Sequence, residues 1–220
     1  MMIDYARFAI GLAPLGIAFG VIAILHLRSK PTVVTSGQEV LLLGFAVSGF
    51  AMIGPMELFF PTASYAALGE WVWLLLAALY FFFVLLASLL SRSSLTVVGL
   101  SPDRLQESLC KALATDEIEG KWLGKQFDIP ELGVRGIVES SYGFPSTSHL
   151  WASGGSQNPL GWYRLEKMLV GQWAKEGTAN PRKTVAWCFL LLAAITLGLS
   201  IYWTVTEIEQ FRSFFQRVLL

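Results

Sequence analysis

The chain has 220 residues, 54% of them hydrophobic and only 15% charged, with a mean hydropathy of +0.56. A soluble domain averages about 25% charged, so this is the composition of a membrane protein. The 16 basic and 16 acidic residues cancel, which removes the net positive field that nucleic-acid binding draws on.

Four apolar runs, about 8–27, 40–60, 71–91 and 184–205, predict transmembrane helices, each near the 20 residues or so that cross a hydrocarbon core of about 30 Å. The first is too long for a signal-peptide core of roughly 7–15 residues. It is followed by Arg28 and Lys30 and not by a small-residue cleavage site, so a retained helix is expected. Within it Ala9, Ala13, Gly16, Gly20 and Ala23 recur at steps of three and four. Gly16 and Gly20 form the spacing that lets helices approach closely. In the second run Gly44, Ser48, Ala51 and Pro55 make a similar face. These two small faces are expected to pack the first two helices together, which accounts for them more simply than a substrate path does.

The second run ends in MIGPMELFFP, with one acid, Glu57, between Pro55 and Pro61. An acid inside a membrane is costly and points to function. A helix entering near Val40 carries Glu57 about 26 Å along at about 1.5 Å per residue, close to the far side of the core. Glu57 therefore reads first as an acid at the outer rim of a helical hairpin; a kink at Pro55 would turn it inward. The third run, WVWLLLAALYFFFVLLASLL, is bulkier, and Trp71 and Trp73 are expected as interface anchors.

Residues 92–183 have ordinary charge density and predict a small α+β domain inserted between the third and fourth spans, of roughly 90 residues, an ordinary domain size. LTVVGL (95–100) reads as a strand. Ser101-Pro102-Asp103 gives a helix start, with a hydroxyl cap, proline at the first position and an acid in the first turn. Leu105, Leu109, Ala112 and Leu113 supply its apolar face. KQFDI and GVRGIVES, separated by a turn containing Gly133, read as a hairpin, and SHLWAS (148–153) as a further strand. A second helix from about Leu160 to Lys175 presents Trp162, Leu165, Met168, Leu169 and Trp173. The expected order is β-α-β-β-β-α. The organisation is thus a membrane domain over 1–91, a soluble domain over 92–183, and a fourth span with a short amphipathic tail over 184–220.

Chemistry has little to work with. His26 sits where the first helix leaves the membrane, and His149 lies in a serine-rich stretch without a G-x-S-x-G elbow. Two separated histidines and two cysteines, Cys110 in a polar stretch and Cys188 in an apolar one, give no metal-ligand spacing and no disulfide framework. No cofactor motif is present, and no catalytic, cofactor-binding or metal-binding residue is assigned. Arg28, Lys30, Arg92, Arg182 and Lys183 flank the spans on the side of the soluble segment. The positive-inside rule then puts that segment in the cytoplasm and both termini outside.

PTVVTSGQEVLLLGFAVSGFAMIGPMELFFP, WVWLLLAALYFFF, LTVVGLSPDRLQESL, FDIPELGV and GWYRLEKML resemble a group of planctomycete-type bacterial integral membrane proteins, over about residues 30–175. The resemblance implies four spans and one small α+β domain in a bacterial inner membrane, and no activity. The reading that follows is a non-enzymatic membrane protein that has the lipid bilayer as its first partner and whose domain binds a protein partner or a second copy. Its alternative is a transporter or channel component using Glu57.

Overall fold

A computed structural model describes residues 5–53, 69, 71–141, 144–155, 157–176 and 183–206. They fall into two compact units, one helical and drawn from Met1–Ala23, Val40–Leu89 and Trp187–Leu220, the other mixed and drawn from Ile24–Glu39 and Leu90–Ala186.

The helices of the first unit are α1 (Tyr5–Leu27), α2 (Ser36–Ile53), α3 (Trp71–Leu90) and α6 (Lys183–Thr206). Three contain stretches long and apolar enough to cross a membrane: Phe8–Leu27, Ser36–Ile53 and Lys183–Thr206. α3 adds a shorter apolar stretch, Leu74–Leu90. Their outward surfaces are greasy, with Leu89 75% and Phe82 59% exposed. A water-soluble protein would cover such a surface, and lipid matches it.

The small residues set the helix neighbours, and differently from the sequence expectation. A Cβ added at Gly16 would come 2.7 Å from Leu197 Cγ, on α6 and not on α2. Ser200 of α6 donates a 2.8 Å hydrogen bond to the Ala9 carbonyl. The edge-to-face pair Phe8–Trp203 and the tilted pair Phe19–Phe189 flank this contact, so α1 and α6 run antiparallel. A Cβ at Gly20 would meet nothing within 4 Å. Gly44 faces Val84 of α3, and the Tyr80 hydroxyl donates to the Gly44 carbonyl at 2.7 Å. Ser48 donates to Phe45 O of its own helix. The α1–α2 contact is made instead by Gly49, whose added Cβ would stand 2.6 Å from Ile10 O and 2.7 Å from Gly11 Cα. The physical reason is angular. Gly11 and Gly16, like Gly44 and Gly49, are five residues apart, or about 140° around a helix. Each of α1 and α2 therefore carries two close-packing faces and uses them for two neighbours.

The mixed unit holds β1 (Thr32–Thr35), β2 (Ser94–Val98), α4 (Pro102–Thr115), β3 (Lys121–Leu123), β4 (Gln126–Ile129), β5 (Val134–Ser141), β6 (Phe144–Ala152) and α5 (Pro159–Glu176). The strands form one sheet in the order β1-β2-β6-β5-β4-β3, every neighbouring pair antiparallel. Two strands were not expected. β3 pairs with β4 across a tight turn at Gly124, whose φ is +63°. β1 comes from the loop between α1 and α2, and Thr32–Thr35 pairs with Val98–Leu95. The boundary expected at residue 92 leaves this strand out. TVVT alone is too short to signal a strand; it becomes one because β2 offers it an open edge.

α4 and α5 cover one sheet face. The core between them joins Leu95, Val97, Leu150, Val134 and Val138 of the strands to Leu105, Leu109, Leu165, Leu169 and Trp173 of the helices. The helix start at Ser101 uses backbone only: Leu105 N–H donates to Ser101 O, and the Ser101 side chain makes no capping bond. α5 is capped by Asn158, whose Oδ1 accepts from Leu160 N–H at 3.1 Å.

Candidate functional site

Alternation along the strands divides their side chains between the helix-covered face and an open face. Ser148 and His149 separate this way. Ser148 is fully buried and donates to Leu100 O at 2.8 Å. His149 stands on the open face, between its register partners Thr96 and Glu139. Its Nδ1 shares a 2.7 Å hydrogen bond with Thr96 Oγ1, and its ring stacks on Trp151 at 5.3 Å between centroids.

A hydroxyl, a histidine and an acid in one cross-strand row invite a catalytic reading, and the surroundings argue against it. Thr96 is buried, so a substrate carbonyl has no approach to its oxygen. Both flanking strands pair in register with β2, which engages the backbone N–H groups an oxyanion would need. The row is better understood as a clamp. Thr96 orients His149, and His149 holds the Trp151 ring, which stays 45% exposed.

Beyond Trp151 the open face bears a shallow groove of about 500 Å³ lined by Lys121, Leu123, Gln126, Asp128, Arg135 and Gly154. Arg135 Nε and Asp128 Oδ2 are 3.0 Å apart, the arginine exposed and the aspartate half-buried, a pairing at the surface worth about 0–1 kcal/mol. Gln157 fixes the rim: its amide accepts from Arg135 N–H and Trp162 Nε1–H and donates to the carbonyls of Arg135 and Ser153.

The second exposed surface is α5. Trp162, Leu165, Leu169 and Trp173 are buried inward. Leu160 (71% exposed), Tyr163 (53%) and Val170 (49%) point the other way. At about 100° per residue they share a stripe about 80° wide with Lys167, whose Nζ sits 4.6 Å above the Tyr163 ring. A groove of about 310 Å³ lined by Ala112, Thr115, Lys167, Met168 and Gly171 runs beside the stripe, between α4 and α5. The sequence signal for this stripe exists, since positions 160, 163 and 170 are apolar at helical spacing, but the tryptophan face of the same helix overshadows it.

Of the residues singled out from sequence, Gly16 and Gly44 sit at close helix contacts with α6 and α3, Gly20 at none, and Ser48 bonds within its helix. Nothing brings the four together. Glu57 lies outside the described residues. No group of three or more His, Cys, Asp or Glu side chains that could hold a metal occurs among the described residues. Two ordinary shifts complete the electrostatics: a hydrogen bond from Lys111 holds the exposed Glu107 carboxyl below its usual value, and partial burial raises the Cys110 thiol. Comparison with protein-family models, with curated proteins and with solved structures returns no match for the chain.

Proposed function

We propose that this chain is a four-span membrane protein whose cytoplasmic domain is an interaction module and not an enzyme. The observation that carries the interaction is the two-sided α5 helix. One side completes the core, and the other presents Leu160, Tyr163 and Val170 to solvent beside a groove. Exposed aromatic and aliphatic side chains on a rigid helix, with a cation held over the aromatic ring, are the makings of a protein interface. The partner is a second copy of the chain or a separate membrane-associated protein.

Connectivity supports four crossings. β1 and β2 belong to one sheet, so the loop after α1 and the segment after α3 share one side of a membrane. If α1 and α2 cross it, the chain leaves on the far side after Ile53 and must return before Ser94. α3 is the apolar helix on that path. The antiparallel α1–α6 contact supports the same arrangement, because it puts the start of α6 beside the end of α1. Arg28, Lys30, Arg92 and Lys183 lie within a few residues of these helix ends in the sequence, which supports a cytoplasmic assignment for the shared side. The layout is also the one expected from the resemblance to planctomycete-type membrane proteins.

The test is chemical cross-linking and mass measurement in mild detergent, on wild type and on a Tyr163→Ser/Val170→Ser variant. Wild type is expected to form a discrete complex that the variant loses while its melting temperature is unchanged. A mass of twice the chain identifies a second copy. A strictly monomeric wild type that captures no protein contradicts the proposal.

A further inference from the structure

The outward side of α5 has a repeat. Leu160, Tyr163, Lys167, Val170 and Ala174 are all exposed, and they follow one another at steps of three, four, three and four. This is the a/d spacing by which one helix packs against another, sustained for two heptads. The inward side is already taken by the domain core, through Trp162, Leu165, Leu169 and Trp173. Gly171 lies beside the outward row, and a Cβ added there would meet nothing within 4 Å, so a second backbone can come close. From 160 to 174 the row runs about 21 Å at about 1.5 Å per residue, the length of a helix of about 15 residues.

Charge says which helix. The middle position of the row is Lys167, whose Nζ lies 4.6 Å above the Tyr163 ring, so the ammonium is held over the row. Arg164, exposed and four residues before Met168 of the neighbouring groove, flanks the row on the groove side. The ion pairs of the described residues, Glu107–Lys111 and Asp128–Arg135, involve neither cation. The acids nearby are Glu166, half-buried on the opposite flank, and Asp116 in the groove wall. A second copy suits this row poorly. Laid parallel or antiparallel with the rows in full overlap, two α5 helices set Lys167 against its own copy. The antiparallel arrangement also sets the two Glu166 flanks together. A lysine at a single core position selects among partners at a cost in stability, and a facing acid offsets that cost.

We infer that the outward row of α5 docks a helix of a separate protein, about 15 residues long, with an apolar stripe that carries an acid at its middle. Leu160, Tyr163 and Val170 supply the apolar contact. Lys167 meets the central acid, and Arg164 a second acid on the groove side. The inference rests on the α5 interface proposed above and gives its partner a chemistry.

The Lys167→Glu chain is itself a probe of that chemistry, because its α5 has the same row with an acid in the middle. Full chains of wild type and of Lys167→Glu, the latter carrying an affinity tag, are washed free of bound protein at high salt in mild detergent. Native mass is then measured at low salt on each alone and on an equal mixture. The mixture is expected to form a one-to-one complex at least about tenfold tighter than either chain forms with itself, and to lose it as salt is added. Placing Tyr163→Ser/Val170→Ser in both chains should abolish it. A wild type that pairs with itself as tightly as with Lys167→Glu, through a contact that Tyr163→Ser/Val170→Ser removes, overturns the acidic partner and leaves the α5 interface standing. A mixed complex that Tyr163→Ser/Val170→Ser leaves intact lies elsewhere on the molecule and overturns both readings. A mixture that stays monomeric overturns the acidic partner alone, and the interface reading then stands or falls by its own cross-linking test.

Discussion

Thr35 stands opposite Leu95 in the antiparallel pairing of β1 with β2, and it is the last residue before α2 begins. They are sixty positions apart in the sequence, and the apolar helices α2 and α3 lie between them. The pairing makes the loop between the first two helices a structural part of the domain.

A disulfide can report this pairing directly. Ser36 and Ser91 have their hydroxyl oxygens 3.1 Å apart, close enough for cysteines there to approach bridging geometry. In a chain with Cys110 and Cys188 changed to serine, Ser36→Cys/Ser91→Cys should oxidise readily and migrate faster on non-reducing gels. Each single variant should not.

Glycine replacements separate tight from open helix contacts. Gly49→Ala drives a methyl group into the backbone of α1 at Ile10 and Gly11, and should cost about 1–3 kcal/mol as overpacking does. Gly20→Ala enters open space and should be neutral or slightly stabilising through helix propensity. Unfolding of the purified protein by increasing SDS fraction, followed by circular dichroism, ranks the two.

Ser148 is a structural serine despite its histidine neighbour. Ser148→Ala removes the donor to Leu100 O inside the core and should cost about 1–3 kcal/mol. Leu165→Ala, at a fully buried position, should cost about 2–5 kcal/mol. Thermal unfolding of the full chain in detergent measures both, with Tyr163→Ser expected to match wild type.

Cys110 gives a pH-dependent readout. Burial raises its thiol above the ordinary range, so less thiolate is present at neutral pH than for a free cysteine, whose value is about 8.5. In a Cys188→Ser chain, alkylation should accelerate through a higher pH than for a model thiol, and urea unfolding should bring the profile back down.

Local signals in the sequence account for what it foretold. Ser101-Pro102-Asp103 and the spacing of Leu105, Leu109 and Leu113 announce α4 with no knowledge of the rest of the chain, and Gly133 with φ +64° marks the β4–β5 turn in the same way. β1 and β3, of four and three residues, lie below any periodic signal and exist through their partners, β2 far along the chain for β1 and the adjacent β4 for β3. The helix neighbours were hidden for another reason: α1 and α2 each carry two small faces, and sequence does not say which neighbour takes which. For the candidate surfaces, Trp162 and Trp173 went to the core while Trp151 stayed half-exposed. That division depends on which way α5 and β6 turn, which only the packed sheet fixes.

The central claim is that the loop after α1 and the inserted domain share one side of a membrane crossed four times. Side-specific labelling of single cysteines in sealed inner-membrane vesicles tests it most directly, at Lys30→Cys, Lys125→Cys and Trp71→Cys. The account predicts that an impermeant maleimide reaches 30 and 125 from the same, cytoplasmic side and 71 only from the other. Labelling of 30 and 125 from opposite sides, or of all three from one side, would contradict it.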